Sequence, residues 1–362
     1  MGNSASASVA SARQVPPLAS FTTLRVGGAP QRMLAVDSYE QAIQTLADLE
    51  ESSSAYLPLG GGSNLVVTDA DIDMTVVWMR NADVDVIAET SEAVIVEVGA
   101  GAHWDEFVAE CVRRGWSGIE CLSGIPGTVG ATPIQNVGAY GAQVSDLIET
   151  VHVWDRSSRT VRELSNAECG FGYRTSVFKS ARRQDGSPEQ VVLTVTFRLS
   201  RSPSSAPVRY PELATALDCS LGETADLLSV RTAVMSLRAT KGMLLDDADH
   251  DTWSVGSFFI NPVVPKAVAD ALPDTAPRWP VANSELVKLS AAWLVEHAGF
   301  PKGFALPGSS AAVSTKHSLA LTNRGQATAT EIVALARTIR DAVASTYSVQ
   351  LQAEPVFIGV SI

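Results

Sequence analysis

Residues 55–67 read AYLPLGGGSNLVV, in which three consecutive glycines lie between two apolar runs typical of strands. The glycines match neither standard phosphate-binding fingerprint. A Walker A loop requires Lys and then Ser or Thr after its last glycine, and a Rossmann turn opens a helix, whereas here Ser63, Asn64 and a strand-like run follow. The stretch is therefore either a tight hairpin or a backbone nest whose N–H groups point at an anion, with Ser63 and Asn64 as additional donors. Taken alone, it favours neither.

A second glycine-rich segment adds weight to the ligand-binding interpretation. Residues 122–141 read LSGIPGTVGATPIQNVGAYG, and Gly118 lies just upstream. Each glycine of a purely structural loop loses extra backbone entropy on folding, so this density of glycine is costly. Close packing of the backbone against an extended, flat ligand would explain it. A long structural loop is the alternative.

The composition restricts the class of protein. With 362 residues, of which 46% are hydrophobic and 18% charged, the chain is expected to be soluble and globular, with two or three domains. A formal net charge of −12 argues against nucleic-acid binding, and no apolar run is long enough to span a bilayer. Residues 1–14 are predicted to be a disordered tail rather than a secretory signal. The resulting expectation is a cytoplasmic monomer.

The spacing of the four cysteines argues against disulfide bonds and metal ligation. Cys111, Cys121, Cys169 and Cys219 lack CxxC spacing and lie in patterned segments. We therefore predict reduced thiols, and neither a zinc site nor any other metal site.

The order of the predicted elements indicates the α+β class. Strand-like runs rich in Val and Ile dominate as far as QVVLTVTFRL at residues 190–199, whereas residues 223–242 and 328–343 have helical spacing. The linker-like SRSPSSAP predicts a domain boundary at residues 203 and 204, and a further division is expected near residue 80.

Three polar side chains lie in unusual settings. Arg174, after Tyr173 in GFGYRTSVFK, is flanked by glycine and small residues and is suited to clamping a carboxylate. Ser257 lies between Gly256 and two Phe residues, and Glu354 is an isolated carboxylate in LQAEPVFIGV, which we interpret as a terminal strand. Each also has an ordinary interpretation, as a surface cation, a turn residue and an edge-strand carboxylate respectively.

Together, several segments resemble the UDP-N-acetylenolpyruvoylglucosamine reductases, the MurB family of peptidoglycan synthesis. They follow the family's order from about Phe21 to the C-terminus: TTLRVGGAP, LGGGSNLVV, LSGIPGTVGATPIQNVGAYG, GFGYRTSVFK, GSFFINP, AAWLVEHAGF and STKHSLALTN. The resemblance implies an FAD-binding domain of the PCMH type (vanillyl-alcohol-oxidase-like) over residues 15–203. A smaller α+β substrate-binding domain would follow over residues 204–362, with its last strand a candidate to return to the flavin domain.

The resemblance also implies a reaction, the reduction of UDP-N-acetylglucosamine enolpyruvate to UDP-N-acetylmuramate with NADPH as the electron source. In that family NADPH reduces the flavin, and flavin N5 delivers hydride to the β-carbon of the enolpyruvyl group. Negative charge then develops on the adjacent carbon and its carboxylate. Arg174 falls on the arginine that holds this carboxylate, Glu354 on the assisting glutamate, and Ser257 on the serine that protonates the α-carbon.

The same resemblance assigns ligand contacts. The FAD pyrophosphate is expected to lie against Gly60, Gly61, Gly62, Ser63, Asn64, Gly124, Ile125, Pro126, Gly127, Thr128, Gly130 and Ala131. The UDP substrate is expected to contact Tyr173, Tyr210, Lys241 and Asn261, of which Tyr210 falls on a loop that closes over the substrate in one branch of the family.

Two departures from the family pattern affect these assignments. The stretch LLDDADHDTW at residues 244–253 is longer than in the shortest members, which affects the register of Lys241. Pro355 and Val356 follow Glu354 where many relatives carry Val-Arg, so an anion contact made by that Arg must be absent or supplied elsewhere.

Two other functions fit parts of the sequence. A different oxidoreductase on the same flavin fold, such as an oxidase of small alcohols, would attach FAD covalently, and His103 is the histidine placed for that bond. A regulatory module would use the GGGSN nest for any phosphate. Neither alternative gives a role to GSFFINP or to Glu354.

Overall fold

The computed structural model describes residues 15–183, 187–282 and 284–362. The proposed tail of residues 1–14 lies outside the described residues, as does part of the polar loop before residue 190. No described helix combines the length and the apolar character required to cross a membrane. Among the same residues, no three His, Cys, Asp or Glu side chains are grouped so that they could hold a metal ion.

A small parallel sheet opens the fold. It consists of β1 (Pro30–Val36), β4 (Ile72–Met79) and β2 (Tyr56–Leu59), in that order, and the helix α1 (Tyr39–Glu51) connects the first two strands in sequence. The helix begins at Ser38, whose hydroxyl accepts a hydrogen bond from the backbone N–H of Gln41 at 3.2 Å. The short strand β3 (Leu65–Val67) lies outside this sheet.

A larger antiparallel sheet follows in the order β11–β10–β12–β6–β5. Its strands are β5 (Val84–Glu89), β6 (Ala93–Gly99), β10 (Ile148–Asp155), β11 (Thr160–Ser165) and β12 (Gln190–Arg201), and the two-residue β7 (Trp116–Ser117) also pairs with β12. The helix α2 (Trp104–Arg114) packs its buried side chains against this sheet, with the rings of Trp104 and Phe197 6.0 Å apart. A two-stranded ribbon, β8 (Gly138–Ala139) and β9 (Ala142–Gln143), and the short helix α3 (Val177–Ser180) complete this part.

The rest of the chain contains shorter strands and more helix. Its helices are α4 (Pro211–Ala216), α5 (Leu227–Thr240), α6 (Lys266–Asp270), α7 (Ala291–His297) and α8 (Ala329–Tyr347). Two three-stranded antiparallel sheets accompany them, one of β13 (Ser254–Ser257), β18 (Ala320–Asn323) and β17 (Ala311–Val313), the other of β14 (Val263–Pro265), β16 (Leu286–Leu289) and β15 (Arg278–Pro280). The capping box of Thr328 and Glu331, with its paired side-chain and backbone hydrogen bonds, begins α8.

The last strand, β19 (Val356–Ile358), pairs in parallel with β3. The C-terminal strand therefore packs with the first part of the chain, as the family resemblance implies. The interpretation of LQAEPVFIGV as a strand needs a correction, because Glu354 precedes the strand and lies in an extended connection instead. Pro355 explains this start, since proline supplies no backbone N–H for a strand ladder.

Hydrophobic side chains from both halves share one core. Leu24, Val26 and Val66 from the first part pack among the buried side chains of α7, α8 and the surrounding strands. A separate cluster joins Cys121 and Tyr140 to the buried faces of α4 and α5. The predicted boundary at residues 203 and 204 thus separates segments whose cores interlock.

Candidate active site

The three glycines of the opening stretch form a turn between β2 and β3, and these two strands pair with different partners. β2 pairs with β4, whereas β3 pairs with β19. The hairpin interpretation is therefore wrong. Gly62 has a φ of 58°, and a Cβ there would lie 2.0 Å from the Phe21 carbonyl oxygen, while a Cβ on Gly61 would lie 2.7 Å from the Cα of Gly127. The backbone of the two glycine-rich segments meets at this point, which only glycine permits.

The second glycine-rich segment is fixed by hydrogen bonds from α2 and the large sheet. The backbone N–H of Trp104 donates to the Gly127 carbonyl at 3.1 Å, and that of Gly130 donates to the Ala100 carbonyl at 2.9 Å. At its start, the N–H of Gly124 donates to the carboxylate of Asp105. The segment is consequently an ordered backbone surface rather than a loose connection.

A cleft that is partly open to solvent lies between the two glycine segments and the second half of the chain. Both halves line it. The predicted residues on its walls are Gly60, Gly61, Gly62, Ser63, Asn64, Ile125, Pro126, Thr128, Ala131, Arg174, Ser257 and Glu354. Gly124, Gly127 and Gly130 do not line the cleft, but their hydrogen bonds to Asp105, Trp104 and Ala100 hold the segment that does.

Arg174 lies in the cleft with a guanidinium that is already oriented. Its Nη1 donates to the Asn136 carbonyl at 3.2 Å and its Nη2 donates to the Gly138 carbonyl. Its backbone has a φ of 54°, and the ammonium of Lys179 donates to its carbonyl oxygen at 3.1 Å. The cation is therefore held from both its side chain and its main chain.

Glu354 lies beside this cation. Its Oε1 is 3.7 Å from Nε of Arg174, and the two side chains keep only 20% and 23% of their surface exposed. Burial raises the pKa of Glu354, and the positive charges of Arg174 and Lys179 oppose that rise. Because its pKa is raised, this carboxyl binds a proton at a higher pH than an ordinary surface glutamate does.

The backbone of Glu354 joins three parts of the site. Its N–H donates to the Phe258 carbonyl at 2.9 Å, next to Ser257, and its carbonyl accepts from Nε2 of Gln135 at 3.2 Å. The following Val356 N–H donates to the Asn64 carbonyl at 2.9 Å. The carboxylate is thus fixed relative to the glycine nest and to the serine strand.

Ser257 is the last residue of β13 and lines the same cleft. β13 pairs with β18, and Ser257 is opposite Ala320. Its Oγ is 3.5 Å from Nε2 of His317. The structure brings together the three side chains that the sequence singled out, Arg174, Ser257 and Glu354, although they come from distant segments.

The four residues predicted to contact the substrate lie in different surroundings outside the cleft wall. Tyr173 is half-exposed, with the cations of Arg174 and Lys288 over its ring at 5.6 and 5.2 Å. Lys241 ends α5 and pairs with Glu212.

Tyr210 precedes α4 and packs edge-on against Tyr140, with ring centroids 5.5 Å apart. Like Tyr173, Tyr210 and Lys241, Asn261 is not among the residues that line the cleft, and its side-chain oxygen accepts from the Ala291 N–H at 2.9 Å, at the start of α7. The four assignments stay predictions, and the local contacts of Asn261 indicate a structural role in this state.

The sequence assigned no role to Gln135 and Arg238, which line the cleft, or to Lys179 and His317, which contact Arg174 and Ser257. Gln135, Lys179 and His317 lie within the motifs that carry the family resemblance, but the resemblance assigned them no function, whereas Arg238 lies outside those motifs. Arg238 comes from α5 and lines the cleft near Gly124, with its Nη2 donating to the Met243 carbonyl at 2.9 Å. Its Nε is buried and has no hydrogen-bond partner within the described ranges.

These features suit a ligand with linked phosphates and flat rings. The backbone of residues 60–64 lines the cleft, as a site for phosphate requires, and Arg238 supplies a buried cation with an unsatisfied donor. His103, the candidate for a covalent flavin bond, has an exposed side chain at the start of α2 and is not part of the cleft wall. The fold and site define a flavoprotein: residues 30–164 match a family model described as an FAD binding domain, which confirms the predicted fold class.

The particular family follows from the second half and from full-length relatives. Residues 247–358 match the family model for the UDP-N-acetylenolpyruvoylglucosamine reductase C-terminal domain. Proteins of that name from Mycobacterium avium (strain 104) and Thermobifida fusca (strain YX) are 50% and 49% identical to the chain, each over 97% of it and over 96% and 99% of their own lengths. The chain belongs to the UDP-N-acetylenolpyruvoylglucosamine reductase family, as its sequence motifs predict.

A solved structure agrees with this fold. The match is to the crystal structure of UDP-N-acetylenolpyruvylglucosamine reductase (MurB) from Thermus caldophilus. The alignment covers 95% of this chain and 97% of that chain, with a TM-score of 0.64 and 24% sequence identity. The likeness supports the order and arrangement of the two halves.

Proposed function

We propose that this protein reduces UDP-N-acetylglucosamine enolpyruvate to UDP-N-acetylmuramate, with NADPH as the reductant, in the synthesis of peptidoglycan precursors. The observation that carries the proposal is the meeting of Arg174, Ser257 and Glu354 in one cleft beside the glycine cradle. The family to which the chain belongs supports the substrate class. FAD would be held against the glycine segments at residues 60–64 and 124–131, where it would supply the hydride chemistry between NADPH and the enolpyruvyl group.

Arg174 is proposed to bind the substrate carboxylate. The carbonyls of Asn136 and Gly138 fix the plane of its guanidinium, so little rotational freedom is lost when an anion binds. Its contact with Glu354 is a loose 3.7 Å, which leaves the positive charge free to stabilise a second carboxylate. As negative charge spreads from the α-carbon to the substrate carboxylate, this preoriented cation stabilises it.

Glu354 is proposed to assist as a neutral or hydrogen-bonded carboxyl group. Its burial favours the protonated form, and a protonated carboxyl donates a hydrogen bond where a carboxylate would repel the substrate anion. The hydrogen bonds from Gln135 and to Phe258 hold its main chain, so the side chain reaches the cleft from a fixed origin.

Ser257 is proposed to hold the proton at Oγ that is delivered to the α-carbon. A hydroxyl is a weak acid in water, but a carbanion held within reach is a strong base, and general acids of this kind contribute roughly 10²–10⁴-fold. The substrate's UDP portion is proposed to contact Tyr173, Tyr210, Lys241 and Asn261, the last after a change from its present contact with α7. We also propose that the enzyme acts as a cytoplasmic monomer.

The proposal is tested by stepwise spectroscopy of the purified protein. A flavin spectrum is expected, NADPH should bleach it under anaerobic conditions, and the enolpyruvyl substrate should restore it. Ser257→Ala should bind FAD and be bleached by NADPH but regain colour slowly. NADH in place of NADPH, and UDP-N-acetylglucosamine in place of the substrate, serve as controls.

Three results would overturn the proposal. One is recovery of the flavin spectrum with UDP-N-acetylglucosamine, which lacks the enolpyruvyl group. Another is a wild-type rate of recovery in Ser257→Ala. The third is colour that remains on the denatured polypeptide, because it would favour an oxidase with covalently attached flavin.

A further inference from the structure

The hairpin between β17 and β18 carries a histidine that the proposed mechanism does not use. Ser314 is fully buried, and its hydroxyl accepts from the backbone N–H of Lys316 and of His317 at 3.0 and 3.1 Å. The Leu319 carbonyl then accepts from the Phe258 N–H at 2.7 Å. The hairpin is thereby attached to the serine strand, and the imidazole Nε2 lies 3.5 Å from Oγ of Ser257.

The acidic stretch at residues 244–253 also contacts this hairpin, through hydrogen bonds and an ion pair. Asp251 accepts from the hydroxyl of Thr315 at 2.6 Å and from its N–H at 3.1 Å, and Asp249 pairs with Lys316. Both residues that precede His317 are therefore anchored. The imidazole has a fixed position relative to Ser257 because its immediate chain neighbours cannot shift without breaking these contacts.

The surroundings keep this imidazole uncharged at neutral pH. Burial, together with the positive charges of Lys241, Lys302 and Arg238, lowers the pKa of His317 to about 4, against the opposing negative charge of Glu212. A neutral imidazole has one N–H donor and one acceptor nitrogen. If Nε2 accepted a hydrogen bond from Ser257, the serine proton would point away from the cleft.

We propose that His317 donates a hydrogen bond from Nε2 to Oγ of Ser257, so that the serine hydroxyl is directed at the substrate and its oxygen is stabilised as the proton leaves. This inference rests on the proposed function. In the step concerned, the Oγ–H bond breaks and its electron pair stays on Oγ. The carbanion's electron pair forms the new C–H bond, and solvent water later returns a proton to Oγ. His317 is thus a positioning residue that acts through Ser257.

The test measures how fast the substrate reoxidises flavin that NADPH has reduced in a single turnover. His317→Leu removes the donor, and we expect reoxidation to slow by roughly 10²-fold, the lower end of the range for one lost donor at a developing anion. His317→Gln keeps an N–H donor and should restore most of the rate. FAD content and reduction by NADPH should match wild type in both variants. His297→Gln, on the outer end of α7, is the matched control and should change nothing.

A double-mutant cycle separates this role from a merely structural one. In the Ser257→Ala background, His317→Leu should cause no further loss, because its effect passes through the serine. Equal loss in both backgrounds, or wild-type reoxidation by His317→Leu, would overturn the inference. If His317→Leu does not fold, reoxidation by His317→Gln at a rate near zero would overturn it instead. Wild-type reoxidation by Ser257→Ala itself would overturn the proposed function, so the two failures are distinguishable.

Discussion

At the scale of single residues, the site depends on charges that the fold holds in unfavourable surroundings. Glu354 is buried between Arg174 and Lys179, and Arg238 has a buried Nε without a partner in the described parts of the chain. Such arrangements cost folding free energy unless a ligand satisfies them. They are therefore better explained by binding and catalysis than by stability.

Glu354→Ala should impair the second half of the reaction alone. Ala has no carboxyl group and can therefore donate no hydrogen bond to the substrate. We expect reoxidation of the reduced flavin by the substrate to slow by roughly 10²-fold, with unchanged reduction by NADPH. Stopped-flow absorbance measures both steps. Glu285→Ala, which removes an exposed carboxylate in the same half of the chain, is the control, and equal rates in the two variants would contradict the prediction.

His317 should make stability depend on pH below neutrality. Its pKa is lowered from 6.5 to about 4 by burial and by neighbouring cations. Well above pH 6.5 the imidazole is neutral in both the folded and the unfolded chain. As the pH falls, the unfolded chain binds a proton near pH 6.5, whereas the folded chain binds it only near pH 4. The folded state is therefore destabilised in this window, by about 2 kcal/mol between roughly pH 7 and pH 5.

Urea unfolding of wild type and His317→Gln at the two pH values measures this effect. The free energy of unfolding of wild type should fall more steeply on acidification than that of the variant. Parallel slopes would contradict the lowered pKa. The comparison of slopes removes any constant stability change caused by the substitution itself.

At the scale of elements, one ion pair connects α2, α5 and the cofactor cradle. Arg231 of α5 donates twice to Asp105 of α2, at 2.6 and 2.8 Å, and the same carboxylate accepts from the Gly124 N–H. Burial alone would raise the pKa of Asp105, but these hydrogen bonds lower it. The carboxylate thus fixes the first glycine of the cradle against two helices.

Asp105→Asn should weaken both stability and FAD binding. The variant leaves Arg231 without its charged partner and weakens the acceptor for Gly124, so we expect a loss of roughly 1–3 kcal/mol in the free energy of unfolding. Flavin fluorescence titration should give a higher Kd for FAD. Glu106→Gln changes the same charge one residue later on the exposed face of α2 and should leave the Kd unchanged. A wild-type Kd in Asp105→Asn would show that the cradle does not need this contact.

At the scale of the whole molecule, the N-terminal segment and the last strand tie the two halves together. Thr23 donates from its hydroxyl to the Ser254 carbonyl at 2.7 Å, and Asn323 donates to the Leu24 carbonyl at 3.1 Å. From the other end, β19 pairs with β3. The cleft is consequently enclosed by parts that fold together.

A fragment of residues 204–362 should therefore not fold on its own. It lacks Leu24, Val26 and Val66, which belong to its main hydrophobic core, and it lacks the strand that pairs with β19. We expect weak near-ultraviolet circular dichroism and no cooperative urea transition, whereas the full chain should unfold in one transition. A cooperative transition of the fragment would show that the predicted boundary defines an independent domain.

The α+β class, most helices and strands and the two glycine segments were predictable from the amino-acid sequence, and the resemblance added the three side chains proposed for catalysis. These properties depend on local periodicity, on glycine and on short motifs, all of which can be read within a few residues. Three findings required the folded structure: GGGSN is no hairpin, Asn261 contacts α7, and His317, Lys179 and Arg238 lie at the site. The contact between Asn64 and Glu354 spans 290 positions of sequence. Such pairings arise from how the whole chain packs, and no local pattern records them.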